Sequence, residues 1–355
     1  MSVTERQTKT PSHAPAVSSS GSTQGGALTA RGVPAARQGQ LGYNCGHRMT
    51  GIQPNAWSRT APEAAVANPE AGRYDVAVSI VSMGDTAALA KCLTALRSAA
   101  SGLATACTVI DNSREPGAVE ATASAYGASV VRVEGRRGFG TNQNAVLRQL
   151  VATGAPPYVL VLNDDVLLDA RALVTLVGHM EANPLAGAAA PQLLQVDGSL
   201  APTKLDFPSL ASEVMRWFAQ RQMSDLCRPG WLVGACMMLR VSALAVAGVF
   251  DERFFLFYED VDMCLRITRA GFRCDLVSEA TAVHIGHQSV GPITVGSLSS
   301  REYRRSRWRY FIKHGQPLAA VLLTAASWFV VPLRRLSSAA RAERAAQHRA
   351  KRLDA

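Results

Sequence analysis

Short apolar runs alternate with helix-patterned stretches from Tyr74 to about residue 182. Each run ends in a small or polar turn, and an amphipathic stretch follows it. Alternation of this kind predicts a parallel sheet with helices covering both faces. The four predicted strands are 76–82, 106–110, 129–133 and 158–162, followed by predicted helices near 86–98, 117–126, 141–152 and 169–182.

Beyond Gly187 the strict alternation fades. Trp231 to Val241 is predicted as one more buried strand, Glu259 to Arg269 as a helix, and Phe272 to Val277 as a strand. The sequence therefore predicts an α/β domain with a mixed sheet flanked by helices.

Polar clusters follow three of the predicted strands: Ser82 to Asp85, Asp111 to Ser113, and Asn163 to Asp165. Parallel strands bring their carboxyl ends to one edge of a sheet, where ligands of open α/β sheets bind. Carboxylates at that edge could hold a hard divalent cation, which prefers oxygen ligands. The alternative is that Asp165 only caps a turn or helix, although Asp169 is a rival cap.

The segment from Phe250 to Asp262 places acids among aromatic residues. A carboxyl group beside apolar surface has a raised pKa, as a general base requires. On a helix, Glu259, Asp260 and Asp262 cannot share one face, so we expect one or two of them in a site. Asp262 is also explained by an ordinary ion pair with Arg266, four residues later.

Two further motifs carry weaker signals. His284 and His287 follow a short apolar strand, and each is as readily structural as ligating. A zinc site is disfavoured because no cysteine or further histidine stands at ligand spacing. Gly135 to Gly140 is a glycine-rich turn before a helix, suited to a phosphate, but it matches no dinucleotide or P-loop motif.

Charge and composition narrow the function classes. The 355 residues carry a net charge of +10, and the segment from Arg301 onward, with 13 Lys and Arg against three acids, accounts for all of it. A generally basic, nucleic-acid-binding surface is therefore disfavoured. Seven cysteines without a C-x-x-C pair indicate buried thiols in a reducing compartment, and no signal-peptide core is present, so we expect a cytoplasmic protein.

Both ends of the chain differ from the middle. Residues 1–72 are rich in Ser, Gly, Ala, Pro and Gln and are predicted to be a disordered leader. Residues 315–333 are uncharged, and as a helix they would extend about 28 Å, just short of a hydrocarbon core of about 30 Å. With arginines and aromatic residues on their flanks, they predict a helical anchor at the anionic inner face of the cytoplasmic membrane, and the alternative is a packed soluble helix.

Eight segments form an ordered set along the chain: Val78–Ser82, Val109–Ser113, Gly138–Asn144, Leu162–Asp165, Gly234–Arg240, Gly248–Glu252, Phe255–Asp262 and His284–Ser289. This set resembles the family 2 inverting glycosyltransferases with the GT-A fold, above all the rhamnosyltransferase type. The resemblance covers about residues 75–313 and implies a GT-A-type, Rossmann-like mixed sheet. We therefore divide the chain into a leader (1–72), a glycosyltransferase domain (73–300) and a basic, apolar helical tail (301–355).

The resemblance implies transfer of a sugar, with rhamnose the first guess, from a dTDP- or UDP-sugar to a cell-envelope glycan or polyprenyl-linked acceptor. Asp260 would be the general base, with Glu259 beside it. Mg²⁺ or Mn²⁺ would be held by Asp165 and His284. The donor nucleotide would contact Ser82, Asp111, Asn112, Asn144 and Asp164, and the acceptor would contact Trp231, Gly234 and Ala235.

The chain departs from the family pattern in three places. Met83-Gly84 replaces an aromatic–Asn pair, Asn163 stands where the first acid is usual, and Arg136-Arg137 replaces an Asn. Two alternatives therefore stay open. One is a sugar-phosphate nucleotidyltransferase, which should carry a basic glycine-rich loop after the first strand, and the other is a non-catalytic membrane scaffold of the same fold.

Overall fold

A computed structural model describes residues 74–115, 117–215, 229–286 and 298–327 of the chain. The predicted leader, His287 and all residues beyond 327 lie outside these ranges. The strands are β1 (Val76–Ser82), β2 (Thr105–Asp111), β3 (Ser129–Arg132), β4 (Tyr158–Asn163), β5 (Val166–Leu168), β6 (Ala186–Leu194), β7 (Lys204–Asp206), β8 (Gly230–Leu232), β9 (Cys236–Arg240) and β10 (Arg273–His284). The helices are α1 (Thr86–Ala99), α2 (Ala118–Ala125), α3 (Phe139–Thr153), α4 (Ala172–Ala182), α5 (Leu210–Met215), α6 (Val241–Ala247), α7 (Glu259–Arg269), α8 (Leu298–Lys313) and α9 (residues 317–327).

Eight strands form one sheet in the order β3-β2-β1-β4-β9-β6-β10-β5. The first four are parallel, as the repeated strand–turn–helix units predict. All seven residues of β1 are buried, because a central parallel strand is covered by helices on both faces. The predicted mixed α/β sheet flanked by helices is confirmed.

The second half of the sheet reverses direction. Strand β9 runs antiparallel to both β4 and β6, β10 runs parallel to β6, and β5 pairs antiparallel with the end of β10. The predicted strand 272–277 is therefore only the first part of β10. The helix predicted from 169 begins only at Ala172, and three residues separate it from the end of the short strand β5.

The prediction of one continuous strand from Trp231 to Val241 is wrong. Strand β8 pairs with β7 in a separate two-stranded sheet, whereas β9 lies in the main sheet. Residues 233–235 cross between the two sheets, and the backbone N–H of Val233 donates to the carbonyl of Thr203 at the crossing. An apolar run cannot show this break, because both halves are equally buried.

Two apolar clusters fill the two sides of the main sheet. One contains the buried faces of α1, α2 and α4, and the other those of α3, α6, α7 and α8. Tyr310 and Phe311 of α8 are fully buried in the second cluster, together with Ala319 and Leu323 of α9. The predicted domain boundary after residue 300 therefore falls inside α8, a helix whose Tyr310 and Phe311 are buried in this cluster.

Helices α8 and α9 form a hairpin around His314 to Gln316. The guanidinium of Arg307 in α8 donates to the carbonyl of Leu323 in α9 at 3.1 Å. Throughout the ranges that the structure describes, no helix combines the length and the apolar character needed to cross a bilayer.

Candidate active site

The carboxyl ends of β1 and β4 meet, as parallel neighbours must. Ser82, the last residue of β1, hydrogen-bonds the carboxyl group of Asp164, and the backbone N–H of Met83 donates to the same group. Burial raises the pKa of Asp164 to about 6, and the negative charge of Asp165 adds to this rise, while the two hydrogen bonds oppose it. A buried acid at this edge of the sheet is suited to a cationic partner.

Asp165 and His284 lie side by side next to this edge. Strand β5 pairs with β10 so that Val166 stands opposite His284, and the N–H of Ile285 donates to the backbone carbonyl of Asp165. The Nε2 atom of His284 lies 3.3 Å from Oδ1 of Asp165. That oxygen is buried and accepts no hydrogen bond.

These two side chains fit a divalent cation. An orphaned carboxylate oxygen facing an imidazole nitrogen is the donor pair that a cation would satisfy, since leaving the oxygen unpaired costs free energy. Among the described residues, no three His, Cys, Asp or Glu side chains form a complete ligand group. Asp165 and His284 would thus be a partial protein shell, of the kind that Mg²⁺ completes with substrate phosphates.

Asp111 and Asn112 organise the neighbouring loop at the end of β2. Asp111 accepts hydrogen bonds from the Arg132 guanidinium and from the backbone N–H of Ser113. The amide of Asn112 donates to the carbonyl of Gly135 at 2.6 Å and accepts from the side chain of Asn142. Both residues lie at the strand-end edge, where Asn112 fixes the glycine-rich turn.

Asn144 does not reach that edge. Its side chain is fully buried in α3, where the amide donates to the carbonyl of Phe250 and to Glu252, and its oxygen accepts from the N–H of Phe250. The structure leaves this side chain no surface for a nucleotide. It braces the segment that leads to Asp260 instead.

Asp260 lies in the first turn of α7 and is half-buried. Its Oδ2 accepts a hydrogen bond from the backbone N–H of Gly234 at 3.0 Å, and its Oδ1 accepts one from the N–H of Val261 at 2.8 Å. A Cβ atom at position 234 would lie 3.2 Å from the Cβ of Asp260, which explains the glycine there. The residue is therefore held in place by the segment that crosses between the two sheets.

The same crossing segment links Asp260 to the part of the chain that leads to Asp165. The N–H of Asn163 donates to the carbonyl of Ala235 at 2.9 Å, and Asp165 follows two residues later. Gly234 and Ala235 thus contact Asp260 on one side and the end of β4 on the other. Trp231 lies in β8, just before the segment, and donates from its indole N–H to the carbonyl of Asp206.

Two strained residues precede the Glu259-Asp260 pair. Phe257 and Tyr258 have φ angles of 65° and 67°, which are unfavourable for residues with a side chain. Such strain costs on the order of 1–3 kcal/mol per residue and persists only where surrounding contacts hold it. The Tyr258 hydroxyl donates to Glu213 of α5 at 3.3 Å and lies 3.4 Å from the hydroxyl of Tyr303 in α8.

Glu259 is a buried acid without a partner for one oxygen. Its Oε2 atom accepts no hydrogen bond. Burial raises the pKa of Glu259 well above its usual value, and the charge of Asp260 raises it further, so the protonated form is favoured. A cavity of about 100 Å³ adjoins both acids, and its lining includes Trp231, Phe257 and Tyr303.

Asp262 belongs to a structural network, as the ion-pair alternative predicts. Its Oδ2 atom lies 2.8 Å from the guanidinium of Arg266. Its Oδ1 atom lies 2.6 Å from Nζ of Lys313 and 2.9 Å from Nε2 of His314. These contacts join α8 to α7 through Asp262, which lies two residues after Asp260.

Glu213, Tyr303 and Arg307 are supporting residues that the sequence does not indicate. Glu213 lies 3.7 Å from the buried guanidinium of Arg307. Glu213 also accepts the hydrogen bond from the Tyr258 hydroxyl. No motif or periodicity marks them, because they meet only when α5, α7 and α8 pack together. Five cysteines lie among the described residues, Cys92, Cys107, Cys236, Cys264 and Cys274, and all five are free thiols, four of them buried.

Comparison with known proteins gives two informative relatives. The chain is 30% identical, over 204 residues, to an N-acetylglucosaminyl-diphospho-decaprenol L-rhamnosyltransferase of Mycobacterium tuberculosis. That alignment covers 51% of this chain and 66% of the relative, so just under two thirds of the relative's length is matched. Rhamnosyltransferase WbbL of Escherichia coli strain K12 is 25% identical over 188 residues, covering 50% of this chain and 70% of that protein.

Among solved structures, residues 1–349 of TarS from S. aureus show a distant likeness. The identity is 13%, the TM-score is 0.44, and the match covers 66% of this chain and 71% of that one. The model of the family described as "Glycosyltransferase like family 2" matches residues 73–310, which is more than half of the chain. The chain therefore belongs to this glycosyltransferase family.

Proposed function

We propose that this protein is an inverting, metal-assisted rhamnosyltransferase that acts on a polyprenyl-linked acceptor or a cell-envelope glycan. The donor would be a nucleoside diphosphate sugar, either dTDP- or UDP-linked. Support comes from the two relatives, one named as a rhamnosyltransferase and the other as an L-rhamnosyltransferase acting on a diphospho-decaprenol.

One observation carries the proposal: the segment Gly234–Ala235 contacts both Asp260 and the end of β4. A glycosyl transfer needs leaving-group stabilisation and a base on opposite faces of one sugar. Hydrogen bonds to one short segment keep Asp260 close to the end of β4, and this proximity supports such an arrangement.

On the donor side, Asp165 and His284 would hold Mg²⁺ or Mn²⁺. When bound, such an ion offsets the negative charge that grows on the departing diphosphate. At the same edge Ser82, the last residue of β1, hydrogen-bonds Asp164, which directly follows β4. Asp111 stands opposite Ser82 in the neighbouring strand β2. Arg136 and Arg137, exposed on the turn that Asn112 organises, place positive charge beside the same edge.

On the acceptor side, Asp260 would take the proton of the attacking hydroxyl group. The acceptor oxygen then forms a bond to the anomeric carbon while the bond from that carbon to the diphosphate oxygen breaks. The N–H of Gly234 orients the carboxylate of Asp260, and Trp231 and Ala235 would border the acceptor. One base is sufficient for a single displacement, so the anomeric configuration inverts.

The test is transfer by purified full-length protein from a panel of sugar nucleotides to a diphospho-polyprenol-linked acceptor, with the product linkage read by NMR. Asp260→Asn should lower kcat by about 10²- to 10⁴-fold, the usual contribution of a general base. Donor binding measured by calorimetry with Mn²⁺ should be retained.

The matched control is Asp197→Asn, which removes an exposed acid from the turn after β6. We expect it to transfer like the wild type. Near-normal turnover by Asp260→Asn, or a product with retained configuration, contradicts the assigned base. No described contact favours the nucleotidyltransferase or scaffold alternatives.

A further inference from the structure

The surface of the α8–α9 hairpin differs from the rest of the described molecule. Five of the ten large apolar side chains that are exposed among the described residues lie within positions 308–322. Exposed fractions there range from 39% for Trp308 to 68% for Leu318. Clustered apolar exposure of this kind marks an interaction site, whereas single exposed residues are ordinary.

The exposed residues follow helical spacing on both helices. On α8 they recur three or four positions apart and change along the helix from basic to apolar, and on α9 they are all apolar. The opposite faces are buried in the same core, through Tyr310 and Phe311 on α8 and Ala320 and Leu323 on α9. We call this set the C-terminal surface: Arg301, Arg304, Arg305, Trp308 and Ile312 on α8, and Leu318, Val321 and Leu322 on α9.

The charge of the C-terminal surface identifies its partner. The three arginines are exposed, and Arg305 lies 4.0 Å from the mostly buried acid Glu302, at the limit of an ion pair. Arginine forks bind phosphate in two-pronged fashion, and Trp308 stands between the basic and apolar parts, where an amphipathic ring favours a membrane interface. A second copy of the chain would bring two such sets of arginines into one interface, which is unfavourable without acids to pair with them.

We propose that the C-terminal surface docks on an anionic lipid bilayer. The apolar side chains enter the boundary between headgroups and acyl chains, and the arginines bind lipid phosphates. The docking does not depend on the reaction. Its use in reaching a lipid-linked acceptor rests on the proposed function.

Vesicle flotation of the full-length protein, without donor or acceptor, tests the docking separately from the reaction. The wild type should float with vesicles that contain about a third phosphatidylglycerol, and it should be released from them by roughly 1 M NaCl. It should bind vesicles of phosphatidylcholine alone at least tenfold more weakly. Failure to float with the anionic vesicles would overturn the proposal.

Two triple variants, each with a matched control, locate the surface. Leu318→Ser/Val321→Ser/Leu322→Ser should lower vesicle partition at least tenfold, whereas the control Leu185→Ser/Val196→Ser/Leu200→Ser changes equally exposed apolar residues elsewhere and should bind like the wild type. Arg301→Gln/Arg304→Gln/Arg305→Gln should lower partition roughly a hundredfold. Its control, Lys91→Gln/Arg97→Gln/Arg171→Gln, removes three exposed cations elsewhere and should leave partition unchanged.

Thermal unfolding by circular dichroism checks that the variants remain folded, as surface substitutions should. Light scattering without vesicles reports the oligomeric state. If the Leu318→Ser/Val321→Ser/Leu322→Ser variant binds vesicles as well as the wild type does, the proposal is overturned. A dimer that becomes a monomer in that variant while vesicle binding is unchanged also overturns it, because the surface would then be an interface between copies.

Discussion

Gly234→Ala tests how tightly the crossing segment positions Asp260. The added methyl group would lie 3.2 Å from the Cβ of Asp260, 3.5 Å from its Oδ2 and 3.6 Å from Cε1 of Phe139. The closest of these contacts is shorter than ordinary van der Waals separation, so Asp260 must shift by a few tenths of an ångström. Because a displacement of about 1 Å costs about a hundredfold in rate, we expect kcat to fall roughly three- to thirtyfold.

The stability of this variant should change less than its activity. Overpacking a well-packed site costs about 1–3 kcal/mol. The variant should therefore be folded at room temperature without urea, and urea titrations should show a lower midpoint of unfolding. The assay is transfer at saturating donor, together with calorimetric donor binding, which should be unaffected because the substitution lies on the acceptor side.

A matched control is available within α4. An added methyl group at Gly178 would meet no atom within 4 Å, so Gly178→Ala should keep full activity and stabilise the helix by about 0.5–1 kcal/mol. Wild-type kcat in Gly234→Ala would refute the positioning of Asp260 by this segment. Loss of donor binding would do the same, because the segment would then act on the other side of the site.

Two further predictions concern the cation pair and the α7–α8 contact. Asp165→Asn should weaken the Mn²⁺-dependent part of nucleoside diphosphate binding at least tenfold by calorimetry, while the exposed Asp169→Asn should not; equal Mn²⁺ enhancement in both would contradict a cation at Asp165. Burial tends to raise the pKa of Asp262, but the hydrogen bond from His314 and the charges of Arg266 and Lys313 outweigh it and lower the pKa to about 2 from 3.8. The stabilisation is therefore complete above about pH 4 and is lost as the pH falls towards 2, so this group should reduce the free energy of unfolding by about 1 kcal/mol between pH 5 and pH 3. Urea titrations at both pH values check this, and an Asp262→Asn variant with the same pH dependence as the wild type would contradict it.

The repeated strand–turn–helix units and the edge at which they end could be predicted from the sequence. Burial on both faces requires near-continuous apolar strands, and parallel pairing brings their polar ends together, so Ser82, Asp111 and Asp164 fall at one edge. The ion pair of Asp262 with Arg266 was also predictable, because it depends only on helical spacing. In each case the determining interaction is local along the chain or follows from the sheet itself.

Contacts between distant parts of the chain were decided only by the tertiary structure. Asn144 looks like a nucleotide ligand within its motif, yet it is buried against Phe250, more than a hundred residues away. The break between β8 and β9 and the docking of α8 on α7 have the same origin. Hydrophobic patterning states which face of an element is buried, but not which partner covers it, because apolar burial is non-directional and the partner is selected by the packing of the whole core.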